Sequence, residues 1–135
     1  MTATSPKPLA EKLGLHPGDR LALLNPPQEY LQALGDWWTQ VKLHTDLEGP
    51  LDFIHFFSRQ QAELANAFPR LKQALAYDGM LWISWPKKSS GLATDLNENR
   101  IREMGLAHGL VDVKVAAIDE RWSGLKFVYR LKDRR

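Results

Sequence analysis

Two ammonium groups, two hydroxyls and a glycine follow one another in Lys87-Lys88-Ser89-Ser90-Gly91. The run comes after an apolar, strand-like stretch at 80–85 and before a helix-like one. Open α/β sheets bind ligands where a strand's carboxyl end passes into a helix. Cationic side chains, a glycine and a helix N-terminus all favour an anion there. The order Gly-x-x-x-x-Gly-Lys-Ser/Thr is absent, so this is not a P-loop. Downstream, Asn97 and Arg100 fall on one helix face, where both could meet one ligand. Trp122 and Lys126 belong to a terminal hairpin, where a tryptophan caps a core, walls a ligand or anchors an interface. The expected binding site is thus an anion or phosphate site at 87–91, extended by Asn97, Arg100, Trp122 and Lys126. The competing account is a solvated loop beside a helix cap, since Asp95 would repel an anion.

A second candidate is Asn25-Pro26-Pro27-Gln28-Glu29-Tyr30, directly after the apolar run at 20–24. Asn25 is a favoured N-cap residue, and Pro26 suits the first helical position. Gln28 sits in capping-box spacing; Tyr30, Leu31 and Leu34 give one apolar face, and Gly35 can close the helix. A strand-to-helix turn accounts for every residue. The same order also resembles the Asn/Asp-Pro-Pro-aromatic signature of amino-methyltransferases acting on nucleic acids, which would set Asn25 and Tyr30 beside the reacting group. The cofactor implied is S-adenosylmethionine, which usually rests on a Gly-x-Gly turn after the first strand. The nine glycines include no Gly-x-Gly. Pro26 and Pro27 stand there instead and offer no backbone N–H. Asp46 or Glu48, after the second strand, could hold a ribose.

Other chemistries lack their residues. There is no cysteine, hence no disulfide, thiolate site or thiol nucleophile. His16, His44, His55 and His108 are scattered without metal-ligand spacing, so no metal is expected. His55, inside an apolar strand, reads as a hydrogen-bonded core residue. No Gly-x-Ser-x-Gly elbow occurs.

The elements that must position these groups follow from periodicity and punctuation. Residues 1–8 read as a disordered tail and 9–135 as a single α/β domain. A helical turn at 9–15, a strand at 20–24, a helix from Asn25 to Gly35 and a short strand at 40–44 come first. A strand at 52–57 then leads into a helix at 59–76, opened by a Ser58/Gln61 capping box and kinked or broken at Pro69. Residues 76–79 read as a turn. A strand at 80–85 and a helix capped by Thr94 or Asp95 follow. Strands at 112–119 and 125–131, joined by a five-residue connector, form the terminal hairpin. Strands alternating with helices imply a three-layer, doubly wound, mostly parallel sheet of about six strands, with an antiparallel C-terminal hairpin.

This pattern resembles the methyltransferase variant of the Rossmann-like fold. Residues 74–84 are similar to the Leu-x-x-Gly-Gly-x-Leu segment common before that fold's fifth strand. On this mapping one early strand–helix unit is missing. The stretches LWISWPKKSSGLATDLNENRIREMGL and GLVDVKVAAIDERWSGLKFVYR resemble a bacterial family of uncharacterised proteins, domain of unknown function 3052. That resemblance implies a fold and no activity.

Composition bounds the function classes. The 135 residues are 44% hydrophobic and 25% charged, typical of a globular domain. A net charge of +2, with basic residues dense only at Lys87-Lys88 and the C-terminus, speaks against a nucleic-acid partner. No apolar run is long enough to span a membrane, and no leader pattern opens the chain, so the expected location is cytoplasmic. The leading expectation is a non-catalytic module binding a small anionic ligand or a protein partner, with no cofactor. The first alternative is a methyltransferase-like enzyme using S-adenosylmethionine. The second is a structural protein, a homodimer joined through Trp37, Trp38 and Trp122.

Overall fold

The computed structural model describes residues 8–44 and 46–134, with the side chains of 38 and 39 left aside. The expected tail at 1–8 lies almost wholly outside the described residues. The elements are α1 (Leu9–Leu13), β1 (Arg20–Leu24), α2 (Gln28–Leu34), β2 (Lys42–His44), β3 (Leu51–Phe57), α3 (Gln61–Ala74), β4 (Leu75–Pro86), α4 (Glu98–Ala107), β5 (Leu110–Ala117) and β6 (Trp122–Tyr129). They build one six-stranded sheet in the order β2-β1-β3-β4-β6-β5. The first four strands of that order run parallel, and β6 pairs antiparallel with both β4 and β5. The doubly wound α/β architecture with its antiparallel hairpin is therefore the observed fold.

Alternation along the strands divides the buried side chains between two faces. On one face Ala22, Ile54, Leu81, Ile83, Leu125 and Phe127 pack with Leu64, Phe68 and Leu71 of α3 and Ile101 of α4. On the other, Leu21, Phe53, Phe57 and Trp82 pack with Ala10 and Leu13 of α1 and Tyr30 and Leu34 of α2. At the amino edge the Arg20 guanidinium meets Asp52 through two bonds of 3.0 Å, tying β1 to β3. The pair raises the Arg20 pKa and lowers that of Asp52, chiefly through this hydrogen bonding.

Several local expectations change. α3 runs through Pro69 without a break. Proline in a helix interior costs about 3 kcal/mol, and burying Leu64, Phe68 and Leu71 on the opposite face outweighs it. The turn expected at 76–79 is strand: Leu75 pairs with Leu51, and an irregularity between Leu51 and Phe53 lets β4 begin early. Gly79 is there because a Cβ would press on the Leu51 carbonyl oxygen at 2.8 Å. The hairpin connector is shorter than expected, since Trp122 and Gly124 already pair with Pro86 and Ser84 inside the sheet.

Candidate functional site

β1 lies between β2 and β3. The chain thus leaves β1 to one side and returns on the other, and this reversal opens a crevice at the carboxyl ends of β1 and β3. A cleft of about 780 Å³ occupies it, lined by Asn25 and Pro27 after β1, Phe57 to Gln60 after β3, Glu63 on α3, residues 93–95, and Trp122. Phe57 and Trp122 meet edge to face at 5.3 Å and form its apolar wall.

The rim is polar. Asn25 Nδ2 donates to the Phe57 carbonyl at 3.2 Å, bridging the tips of β1 and β3. Among the described residues Asn25 is the non-glycine residue with positive φ, at 57°. Asparagine tolerates this left-handed region better than most residues. Ser58 Oγ donates to Glu63 Oε1 at 2.5 Å. Arg59 Nε donates to the Ala93 carbonyl at 3.0 Å, and Asp95 Oδ1 accepts the Gln61 backbone N–H at 2.7 Å. Neither Arg59 nor Glu63 takes part in an ion pair among the described residues.

Beneath the wall lies a buried chain of hydrogen bonds. His55 Nδ1 meets the Tyr30 hydroxyl at 2.8 Å, and its Nε2 meets Ser84 Oγ at 2.7 Å. The His55 ring stacks on Phe57 at 4.2 Å. Burial holds the His55 pKa well below its ordinary value and raises that of Tyr30, so both stay neutral. Tyr30 is 1% exposed, which places it in the core.

The residues expected to form one anion site are divided among three places. Lys87, Lys88, Asn97 and Arg100 line a separate depression that also receives Asp95, Glu98 and Glu103. Those carboxylates offset the lysines. Ser90 Oγ donates to the Lys87 carbonyl and accepts the Leu92 N–H, closing the loop on itself. Ser89 belongs to the same short turn, and Gly91 ends it at φ 77°. Asn97 Oδ1 caps α4 through the Arg100 N–H at 2.8 Å, whereas Arg100 Nε donates to Gln61 Oε1. Thr94 and Asp95 therefore do not cap α4. Ser58/Gln61 does not box α3 either, because its first turn is capped by Asp95 from a distant loop. Lys126 is part-buried, and burial together with the Lys114 charge lowers its pKa. It lies on the same strand face as Trp122, roughly 13 Å away at ~3.3 Å per residue. Trp122 is 8% exposed, so it is a cleft wall rather than an open interface anchor. Trp37 is half-buried, and the Trp38 side chain lies outside what is described.

Asn25 was legible both as a helix cap and, in the alternative reading, as a loop residue beside a reacting group; Pro27 occupies the cap position without a side-chain bond, and Asn25 lines the cleft. Arg59, Glu63 and Asp95 were missed as members of a cleft. The strand-to-helix turn after residue 57 marks them, once the strand order shows where the sheet reverses.

Among the described residues no cluster of three or more histidines and carboxylates could hold a metal ion. No helix there is long and apolar enough to cross a membrane. No protein-family model and no curated protein matches the chain. Solved structures do. A TehB-like S-adenosylmethionine-dependent methyltransferase from Corynebacterium glutamicum aligns with a TM-score of 0.61 at 13% identity, over 90% of this chain and 85% of that one. Magnesium protoporphyrin IX methyltransferase from Synechocystis, solved with bound S-adenosylmethionine, gives 0.61 at 15% identity over 90% and 74%. The ribosomal protein L11 methylase of Lactobacillus delbrueckii gives 0.59 at 15% identity over 90% and 75%. These likenesses establish a methyltransferase-type, Rossmann-like fold. They also overturn the leading expectation of a non-catalytic module, because the similar solved chains are methyltransferases and the 87–91 loop faces carboxylates.

Proposed function

We propose that this chain is an enzyme of the methyltransferase class, with its reacting site in the cleft between the tips of β1 and β3. The observation that carries the reading is the position of the cleft. It sits at the strand-order reversal, where doubly wound sheets hold their ligands, and pairs an apolar wall with a charged rim.

S-adenosylmethionine is the cofactor this reading calls for, and the residues present suit its ends. Arg59 and Glu63 offer opposite charges to an amino-acid head group. Trp122, backed edge to face by the buried Phe57, offers ring surface to the neighbouring cation. Asp46 follows β2, where an acidic residue can accept ribose hydroxyls, whereas Glu48 lies with Arg20 and Tyr77 in a separate depression at the strands' amino ends. The turn from β1 to α2 departs from the usual cradle: it supplies a stiff wall, with no N–H at Pro26 or Pro27. When bound, the cofactor supplies an electrophilic methyl group. Asp95, whose Oδ1 is engaged at the start of α3, presents its second oxygen as a proton acceptor at the rim. Ser58 fixes the Glu63 side of the cleft through its hydrogen bond to Oε1.

We also retain the kinship with the family known as domain of unknown function 3052 as a proposal. Its two segments here build β4, the loop to α4, α4 itself and the hairpin.

Isothermal titration with S-adenosylmethionine and S-adenosylhomocysteine tests the reading. Saturable binding of both is expected, unchanged in a Lys87→Ala/Lys88→Ala double variant because those lysines face a different depression. No heat at millimolar ligand would remove the cofactor, and with it the class.

A further inference from the structure

We propose that the cavity at the amino ends of β1, β3 and β4 binds a nucleoside monophosphate, with the base on Tyr77 and the phosphate held by Arg70 and Arg134. This site is independent of the methyltransferase reading, which concerns the opposite end of the sheet.

The cavity measures about 1080 Å³, against about 780 Å³ for the carboxyl-end cleft, and shares no lining residue with it. β3 runs between them from Leu51 to Phe57, so they lie roughly 20 Å apart at ~3.3 Å per residue. A small molecule held here is therefore not the one that reacts at the other end. Gly49 packs so closely on the Ala74 carbonyl that a Cβ has no room, which fixes the floor by backbone contact. A largely preformed, apolar floor is usual for a small-molecule site.

The wall is aromatic. Leu75 is in register with Leu51 and Met80 with Phe53, so the four residues 76–79 face Asp52 alone. The register of β4 with β6 begins only at Leu81. Irregularities of this kind turn side chains out of the regular pleat and recur beside functional sites. Here the result is a Tyr77 ring that lines the cavity and is 44% exposed. It rests edge to face on Tyr129 at 5.1 Å, and the Tyr129 hydroxyl donates to the Lys72 carbonyl at 2.9 Å. Tyr77 thus stands on a fixed support with ring surface to offer.

The rim is charged. Arg20 is already committed to Asp52. Arg70 and Arg134 join no ion pair among the described residues. Arg134 is steadied by Nε on the Tyr129 carbonyl at 3.1 Å, which leaves its terminal nitrogens as donors. A guanidinium end matches a phosphate with two parallel bonds. Glu48 and Asp78 line the same cavity and supply acceptors; Asp78 acts on Arg20 only through space. A bare anion leaves Tyr77 idle and meets both carboxylates. An aromatic carboxylate gives Glu48 and Asp78 nothing to accept. A nucleotide brings a flat base for the tyrosine, a phosphate for the arginines, and ribose hydroxyls as donors to the carboxylates.

The test is calorimetric, on the full chain, with AMP, GMP, CMP and UMP. Ribose 5-phosphate and the nucleoside of the tightest binder serve as its two halves. That nucleotide is expected to bind at least about tenfold tighter than either half, the effect of one stacked base or one charge-assisted contact. Tyr77→Ala should remove the advantage over ribose 5-phosphate, and Arg70→Ala with Arg134→Ala the advantage over the nucleoside. All three side chains are exposed, and circular dichroism checks that the variants fold. Binding equal to that of ribose 5-phosphate and insensitive to Tyr77→Ala would reduce the cavity to an anion site and overturn the nucleotide assignment. Binding lost in Arg59→Ala, yet untouched by the Tyr77 and arginine variants, would move the ligand to the other cleft and overturn it too. So would the absence of binding by all four nucleotides at millimolar concentration.

Discussion

His55 is where single-residue chemistry decides most. It is completely buried, yet both ring nitrogens have partners, Tyr30 on α2 and Ser84 on β4. Neutral imidazole can accept at one nitrogen and donate at the other, so the chain is satisfied without a charge. Sequence alone made His55 a core residue, because it interrupts an apolar strand. It did not reveal the partners, which lie 25 and 29 positions away. Burial lowers the folded-state pKa, whereas in the unfolded chain the ring titrates near about 6.5. Between those two values the unfolded state binds more protons, so stability falls as pH drops through that window. The limiting slope is about 1.4 kcal/mol per pH unit. Asp52 acts in a lower window: its pKa is depressed, so its contribution holds above the ordinary carboxylate range and is lost on further acidification. Urea midpoints measured between about pH 7.5 and 5 should therefore fall steeply in the native chain. In His55→Ala the slope should flatten, and stability at neutral pH should drop by about 2–5 kcal/mol, because two buried hydroxyls lose their partner. An unchanged slope would mean that His55 is not buried neutral.

At the scale of elements, the helix boundaries show what local signals can specify. Tyr30, Leu34, Leu64, Phe68, Leu71 and Ile101 were legible as inner faces by spacing, and all are buried. Caps were less legible because Thr94, Asp95 and Asn97 crowd four positions before α4. Only Asn97 caps it; Thr94 bonds the Arg59 carbonyl and Asp95 serves α3. Side-chain oxygens of similar reach compete there, and tertiary partners decide. Gly105 gives an element-scale prediction. Within an exposed helix, glycine to alanine gains about 1 kcal/mol. Here a Cβ on Gly105 would overlap the Phe127 ring, which is itself buried in β6. Overpacking of this kind costs about 1–3 kcal/mol, so Gly105→Ala should lower the urea midpoint despite the propensity gain. A stabilised variant would show that α4 does not pack against β6 at this point.

Across the whole molecule, the alternation of strands and helices was enough to read a mostly parallel sheet closed by a hairpin. The site was not readable in the same way, since it gathers residues near 25, 57–63, 93–95 and 122 through a strand order the sequence does not state. The same sheet carries two cores, and this makes a prediction about cooperativity. Leu13 belongs to the α1–α2 side and Phe68 to the α3–α4 side, both essentially inaccessible. The strands between them are shared, and Trp82 Nε1 donates to the Leu13 carbonyl at 2.9 Å, pinning α1 to β4. Loss of either layer exposes a face of every central strand, so neither core should survive alone. Leu13→Ala should cost about 2–5 kcal/mol and Phe68→Ala about 3–5 kcal/mol. Each should shift one transition, with tryptophan fluorescence and far-ultraviolet circular dichroism remaining coincident. Fluorescence sums five tryptophans, of which Trp82 and Trp122 pack on the α1–α2 side and Trp85 on the other, whereas circular dichroism is weighted toward α3 and α4, the longest helices. Separation of the two curves in Leu13→Ala would show that the α1–α2 layer unfolds independently. The cleft would then sit on a layer able to open without the rest, because Asn25 and Pro27 enter it from the turn before α2.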